Sequence, residues 1–305
     1  MVNQLKNFTL NDVALGLWGL LFLLGIIWGS SFYAVSLSLN DFKPMQIAAC
    51  RIIIGALLLT IVYFSFDYSS LSFSKVNKKT WFYSFGMGVF TNALPFFLLS
   101  WAQTEVSSSF AGVAMSVVPF STLILAHYFT SEKTFSSEKI IGLAIGFVGM
   151  IILFDINEIY NQWVGFEEFK FKVACLGAAI SYSIGAIITR RSPTQSKLAF
   201  SVSGLLAGAI VILPVALFCE GVPTAFTLPS FFAIVYLGVF PTGLATIILV
   251  YLIKSVGPTF LSLVNYLVPV WAILFGVYLN SELLEFKFFV ATAFIFYGMI
   301  LSQRV

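Results

Sequence analysis

Charge is what this sequence has least of. Lys, Arg, Asp and Glu make up only 10% of the chain, against about 25% in ordinary soluble domains. So few charges cannot wet the surface of a soluble body of 305 residues. The net charge of +3 is too small to give an electrostatic footprint for nucleic acid. Histidine occurs once, at His127, and cysteine only at Cys50, Cys175 and Cys219, each within an apolar run and at no metal-ligand spacing. An odd, scattered set argues against a disulfide framework, and the cysteines read as small buried apolar residues. HExxH, GxSxG, a P-loop lysine and any Cys/His cluster are missing as well. No cofactor or metal is therefore expected, and an enzyme has no constellation to stand on. A receptor or scaffold is disfavoured because the longest connection, near Asn157 to Phe169, is too short for a sensing or docking domain.

What is present in quantity is apolar surface. The chain is 59% hydrophobic with a mean hydropathy of +0.98, and 34 of its residues are Phe. Apolar runs of about twenty residues, the length that crosses a bilayer as a helix, recur from end to end. They predict ten spans, over 13–37, 45–66, 81–101, 106–129, 139–155, 171–190, 199–219, 230–252, 257–279 and 286–303. The first run is long for a signal-peptide core and lacks an A-x-A site, so it reads as a permanent span. Asn3 and the sequence Ser302-Gln303-Arg304-Val305 carry no lipidation signal.

Ten spans place both termini on one side. Eleven Lys and Arg residues gather on that side, among them Lys75, Lys78, Lys79, Arg190 and Arg191. Lys43, Lys170, Lys172 and Lys287 fall on the other, with Arg51 left inside a span. The bias predicts that both termini face the cytoplasm.

A shift of 150 residues lays Gly88-Val89-Phe90 on Gly238-Val239-Phe240, Val118-Pro119 on Val268-Pro269, and Ser131-Glu132 on Ser281-Glu282. With a one-residue slip, Gly149-Met150-Ile151 meets Gly298-Met299-Ile300. At a shift of 152, Ser31 meets Ser183. The chain therefore reads as two five-helix halves, 13–155 and 171–303. Five is odd, so the second half enters the membrane upside down. The expected fold class is an all-α integral membrane protein of ten transmembrane helices in two inverted repeats, an arrangement common among secondary transporters.

These residues resemble the EamA family of the drug/metabolite transporter superfamily. The first helix carries Trp28-Gly29-Ser30-Ser31-Phe32 and the second Arg51-Ile52-Ile53 after Pro44. Each half closes with a proline-centred helix, a small residue plus Glu, and a Gly-rich ending. The resemblance covers nearly the whole chain. Departures are Ser131 and Ser281 where the family often has Gly, and Ser181-Tyr182-Ser183 where Trp is frequent. The family implies export of amino acids or related metabolites across a bacterial inner membrane, with import or exchange as the alternative. The partners expected are a small-molecule substrate and the lipid bilayer, in a monomer or homodimer.

Polar groups inside hydrocarbon are costly and each needs a partner or a cavity. Trp28, Ser30 and Ser31, with Ser181 and Tyr182 opposite, are expected to line a substrate site or else to pack helices together. Asn92 is a full amide near a span centre. Met115 stands near Pro119, and Asn265, Tyr266 and Trp271 surround Pro269; their mix of directional and dispersive contacts suits a zwitterionic or amphipathic metabolite. Pro119 and Pro269 are read as bends or hinges, and Glu132 and Glu282 as gate or structural groups. Arg51, the one charge well inside a span, either captures an anionic group or snorkels to the surface. His127 reads as an interfacial residue.

Overall fold

The computed structural model describes residues 10–66, 78–130, 137–154, 165–193 and 196–303. The described elements are α1 (Leu10–Ser38), α2 (Pro44–Phe66), α3 (Lys78–Ala102), α4 (Ser108–Phe129), α5 (Ser137–Phe154), α6 (Gly165–Arg191), α7 (Lys197–Cys219), α8 (Leu228–Val256), α9 (Pro258–Asn280) and α10 (Phe286–Gln303). Eight of them, α1–α4 and α6–α9, are long and apolar enough to cross a membrane. The apolar stretches of α5 and α10 are shorter, Ile140–Gly149 and Phe286–Gly298. Helices suit such a chain because each satisfies its own backbone polar groups where no water can. Large side chains coat the outside, among them Ile61, Phe82 and Phe218. In water this coat would be an aggregation surface; against lipid it is wetted.

Several helices are interrupted, and the interruptions fall at matched places. The backbone of α3 widens to a π turn over Gly88–Ala93, and that of α8 over Gly238–Leu244. Pro95 and Pro241 explain why the bonding slips there, since neither can donate to the carbonyl four residues back. In α4 the helix breaks between Ala114 and Val117, and in α9 it tightens to a 3-10 turn over Leu263–Tyr266. Pro119 cannot bond Met115 O, so Val118 N takes it instead at 3.0 Å. Pro269 stands in the same relation to Asn265. The two prolines thus break their helices about one turn upstream, at Met115 and Asn265.

Helix contacts repeat when the halves are exchanged. α1 packs on α9 as α6 packs on α4, α2 on α8 as α7 on α3, and α1 on α8 as α6 on α3. α5 packs along α10, α2 along α7 and α4 along α9. Several of these interfaces are close enough to need glycine, two of them against backbone. A Cβ on Gly88 would lie 2.5 Å from Gly204 O of α7, and one on Gly298 would lie 2.5 Å from Gly142 O of α5.

Hydrogen bonds tie the bundle at both ends. At one end Asp41 accepts from Thr227 N (2.9 Å) and Thr227 Oγ1 (2.7 Å). Gln46 N donates to Glu220 there (3.0 Å), and Ser108 N to Glu282 (2.8 Å). At the other end Arg190 Nη1 donates to Ile253 O (3.0 Å) and Lys254 O (3.1 Å), while Lys254 Nζ donates back to Ser192 O (2.6 Å). Each cation caps the carbonyl end of the other's helix, where the helix dipole favours positive charge.

Candidate functional site

A cavity of about 930 Å³, open solvent at its mouth included, runs between the halves. Its walls are helical stripes. Asn92, Phe96, Leu99 and Gln103 face it from α3, each three or four residues from the next, as one face of a helix requires. Met115, Val118 and Thr122 do so from α4, and Trp28, Ser31, Phe32 and Val35 from α1. Tyr182 and Ala186 come from α6, Pro241, Thr246 and Leu249 from α8, and a run from Pro258 to Val268 from α9. Matched positions of the two halves recur among these, 150 residues apart: Phe96 with Thr246, Leu99 with Leu249, Met115 with Asn265, Val118 with Val268. The helix breaks make this possible, because they open the backbone where Met115 and Asn265 meet the cavity.

Of the residues singled out from the sequence, Trp28, Ser31, Arg51, Asn92, Met115, Tyr182 and Asn265 line this space together. Others do not. Ser30 Oγ is spent on Tyr236 Oη at 2.5 Å, joining α1 to α8. Ser181 Oγ donates to Phe90 O in the π turn of α3 at 2.9 Å, so it braces the wall from behind. Trp271 lies on the α1 side of α9, its Cβ over Gly29 and its ring 6.2 Å from Phe22. The helix rotation that turns Val268 and Asn265 inward turns Trp271 away. Glu132 and the Tyr266 side chain lie outside the described residues.

Glu282 holds an end of the bundle rather than the cavity. Its Oε1 accepts from Ser108 N (2.8 Å), Ser108 Oγ (2.5 Å) and Asn280 Nδ2 (3.1 Å), and its Oε2 from Ser109 N (3.0 Å). It therefore caps the positive end of α4 from the loop beyond α9. Burial works to raise its pKa, but the bonds from Ser108, Ser109 and Asn280 outweigh that and hold it below its ordinary value.

Arg51 does not snorkel. It is buried, with Nε donating to Thr242 Oγ1 at 3.0 Å and its guanidinium carbon 3.7 Å from the Phe96 ring centre. Nearby, the Asn92 side chain is 1% exposed and its Nδ2 has no hydrogen-bond partner. Thr91 Oγ1 and Gln103 Oε1, also in residues lining the cavity, are likewise unpartnered. Buried polar atoms normally find partners, so these are groups to which a bound molecule or water could bond.

The sequence reading did not single out Thr91, Phe96, Gln103, Thr122, Thr246 or Ser262. The signal for Phe96 and Gln103 was available. Following the 3.6-residue period from Asn92 along the span reaches Phe96, Leu99 and Gln103 in turn.

The chain is similar in sequence to several named proteins and in fold to a solved structure. The chain is 26% identical over 290 residues to the uncharacterized inner membrane transporter YedA of Escherichia coli strain K12, covering 94% of this chain and 90% of that protein. It is 24% identical to the uncharacterized transporter YoaV of Bacillus subtilis, covering 82% of this chain and 84% of that one. Protein PecM of Dickeya dadantii is 22% identical, covering 92% and 89%. A crystal structure at 18% identity superposes with a TM-score of 0.70 over 94% of this chain and 96% of its own, which establishes a shared fold. The model of the EamA-like transporter family matches residues 17–155 and again 172–303. With apolar helices long enough to cross a membrane eight times, and both stretches matched by that family, the chain is an integral membrane protein and a member of the EamA-like transporter family.

Proposed function

We propose that the chain carries small organic metabolites of the amino-acid class across a bacterial inner membrane by alternating access between two inverted halves, 13–155 and 171–303. One observation carries this reading: matched positions of both halves face a single cavity. A site on the axis relating two repeats can be exposed to either side by exchanging their conformations, which costs little when the halves are alike. The inversion is supported by hydrogen bonds at the two ends. α1 finishes at the end where α8 begins, since Ser230 Oγ bonds Leu37 O. α6 finishes at the end where α8 stops, since Arg190 bonds Ile253 O. The first helices of the two halves therefore run in opposite directions. Ten crossings follow if α5 and α10, packed along each other, also span.

The cavity draws its walls from both halves. Its polar groups are few and set in apolar walls, as orientation of an amphipathic metabolite requires. Pro119 and Pro269, which loosen α4 and α9 beside the cavity, serve as the hinges. The excess of basic residues on one side supports a cytoplasmic position for both termini, and the family resemblance makes export the expected direction.

Counterflow in proteoliposomes tests the reading. Vesicles loaded with unlabelled amino acids should accumulate the labelled compound saturably, and Asn92→Ala and Asn265→Ala should each depress the accumulation. Counterflow untouched by both changes would remove the site from this cavity. Folded, oriented protein that carries nothing from a broad metabolite panel would refute transport of this class.

A further inference from the structure

Among the described residues lining the cavity, Arg51 is the only one with a charge. It is 4% exposed, and no carboxylate forms an ion pair with it among the described residues. Its environment supplies one neutral hydrogen bond, from Nε to Thr242, and one aromatic face, Phe96. Its Nη groups make no hydrogen bond among the described residues. A buried cation so held is only partly compensated, because a neutral acceptor and a ring replace the anion that low dielectric calls for. Removing the charge from water without supplying its partner is costly enough that such residues mark a ligand path.

Asn92 lines the same cavity. Phe96 follows Asn92 by four residues on α3, so their Cβ atoms stand about 6 Å apart on one face. The guanidinium sits over that ring, and the Asn92 amide, whose Nδ2 is unpartnered, belongs to the same face of α3. Tyr182 closes the group, its ring 6.5 Å from that of Phe96. What these residues hold in excess is hydrogen-bond donors and positive charge. Among the described residues, the wall has no acidic side chain to receive a cation.

We propose that the carried molecule is bound by a carboxylate, which docks on the Nη groups of Arg51 with Asn92 Nδ2 as a further donor, while its apolar body lies against Leu99, Val118 and Val268. This deepens, and rests on, the transport reading of the same cavity. A guanidinium suits a carboxylate because its parallel N–H groups match the two oxygens. The arrangement also joins the halves: Arg51 and Asn92 belong to the first, while Thr242, which orients the guanidinium, belongs to the second. A molecule whose only charge is positive would meet Arg51 with no counter-charge and is excluded.

Calorimetric titration of the purified full chain tests this with matched compounds in three body sizes: alanine, leucine and phenylalanine, their 2-oxo acids, and their amides. The acids should bind at least tenfold more tightly than the corresponding amides. Arg51→Gln should weaken the acids by about 10- to 100-fold, the worth of a charged hydrogen-bond pair, and abolish the preference; Arg51→Lys should keep part of it. Amides binding as tightly as acids, an acid preference that survives Arg51→Gln, or no binding by any acid would overturn the proposal. If Arg51→Gln does not fold, the acid-to-amide ratio of the unaltered protein still decides. Counterflow separates the two claims: an acid that binds but is not carried removes transport and leaves the carboxylate site, whereas carried amides remove the carboxylate site and leave transport.

Discussion

Replacing Glu282 by alanine should loosen one end of the bundle, and the loss should depend on pH. The carboxylate accepts from two free backbone N–H groups at the start of α4, Ser108 and Ser109, and from the Ser108 hydroxyl. Loss of a helix cap costs about 0.5–2 kcal/mol, and a charged hydrogen bond about 1.5–3 kcal/mol. Because Glu282 is half-exposed, water recovers part of this, and a loss of about 1–2 kcal/mol is expected. Its hydrogen bonds hold the folded pKa below the ordinary glutamate value of 4.5. A depressed folded pKa means that the stabilisation is complete above the unfolded value and disappears as pH falls through the folded one. Thermal unfolding in detergent should therefore show Glu282→Ala melting below the parent protein at pH 7, with the gap closing in acid. Ser108→Ala should add less than its separate effect when combined with Glu282→Ala, since both remove one contact. Equal melting at pH 7, or a gap that persists when the carboxyl is protonated, would refute this account of the cap.

Gly88→Ala should lower the melting temperature, because the new methyl would meet Gly204 O at 2.5 Å and Gly208 N at 2.6 Å; overpacking of this kind costs about 1–3 kcal/mol. Gly16→Ala, with nothing within 4 Å of its Cβ, is the control and should melt no lower than the parent. Gly298→Ala should pry α10 from α5, whose Gly142 O and Gly146 N lie 2.5 Å from the added atom, and limited proteolysis should then cut α10 first. Arg190→Gln should weaken the opposite end by uncapping the carbonyls of Ile253 and Lys254, worth about 1 kcal/mol. Faster deuterium exchange confined to the last turn of α8 would register it, and unchanged exchange there would count against the cap.

The elements were largely legible in the sequence, for identifiable reasons. Apolar runs bounded by charge and turn residues located the helices to within a few residues, although α6 begins at Gly165 rather than near 171 and α8 continues to Val256. The repeat of Gly-Val-Phe foreshadowed the paired π turns, since glycine there permits α3 and α8 to press against α7 and α2. Pro119 and Pro269 foreshadowed the paired breaks, because a missing N–H acts locally wherever the chain goes. The cavity was legible only in part. Asn92 drew notice as a lone amide in an apolar run, whereas only its helical spacing from Asn92 sets Phe96 apart from the other phenylalanines.

Sequence by itself determined that the chain lives in a membrane, where most of its helices lie to within a few residues, and which short motifs recur along it. Those properties depend on composition and on contacts a few residues apart. Only the tertiary structure decided the rotation of each helix and the reach of each long side chain. That is why Trp271 turned to Gly29 and Phe22, Ser30 was taken by Tyr236, and Arg51 pointed inward to Thr242 and Phe96. Arg51 eight residues beyond Lys43 could have reached the surface or the interior with equal ease. A partner on a helix almost two hundred residues away settled it.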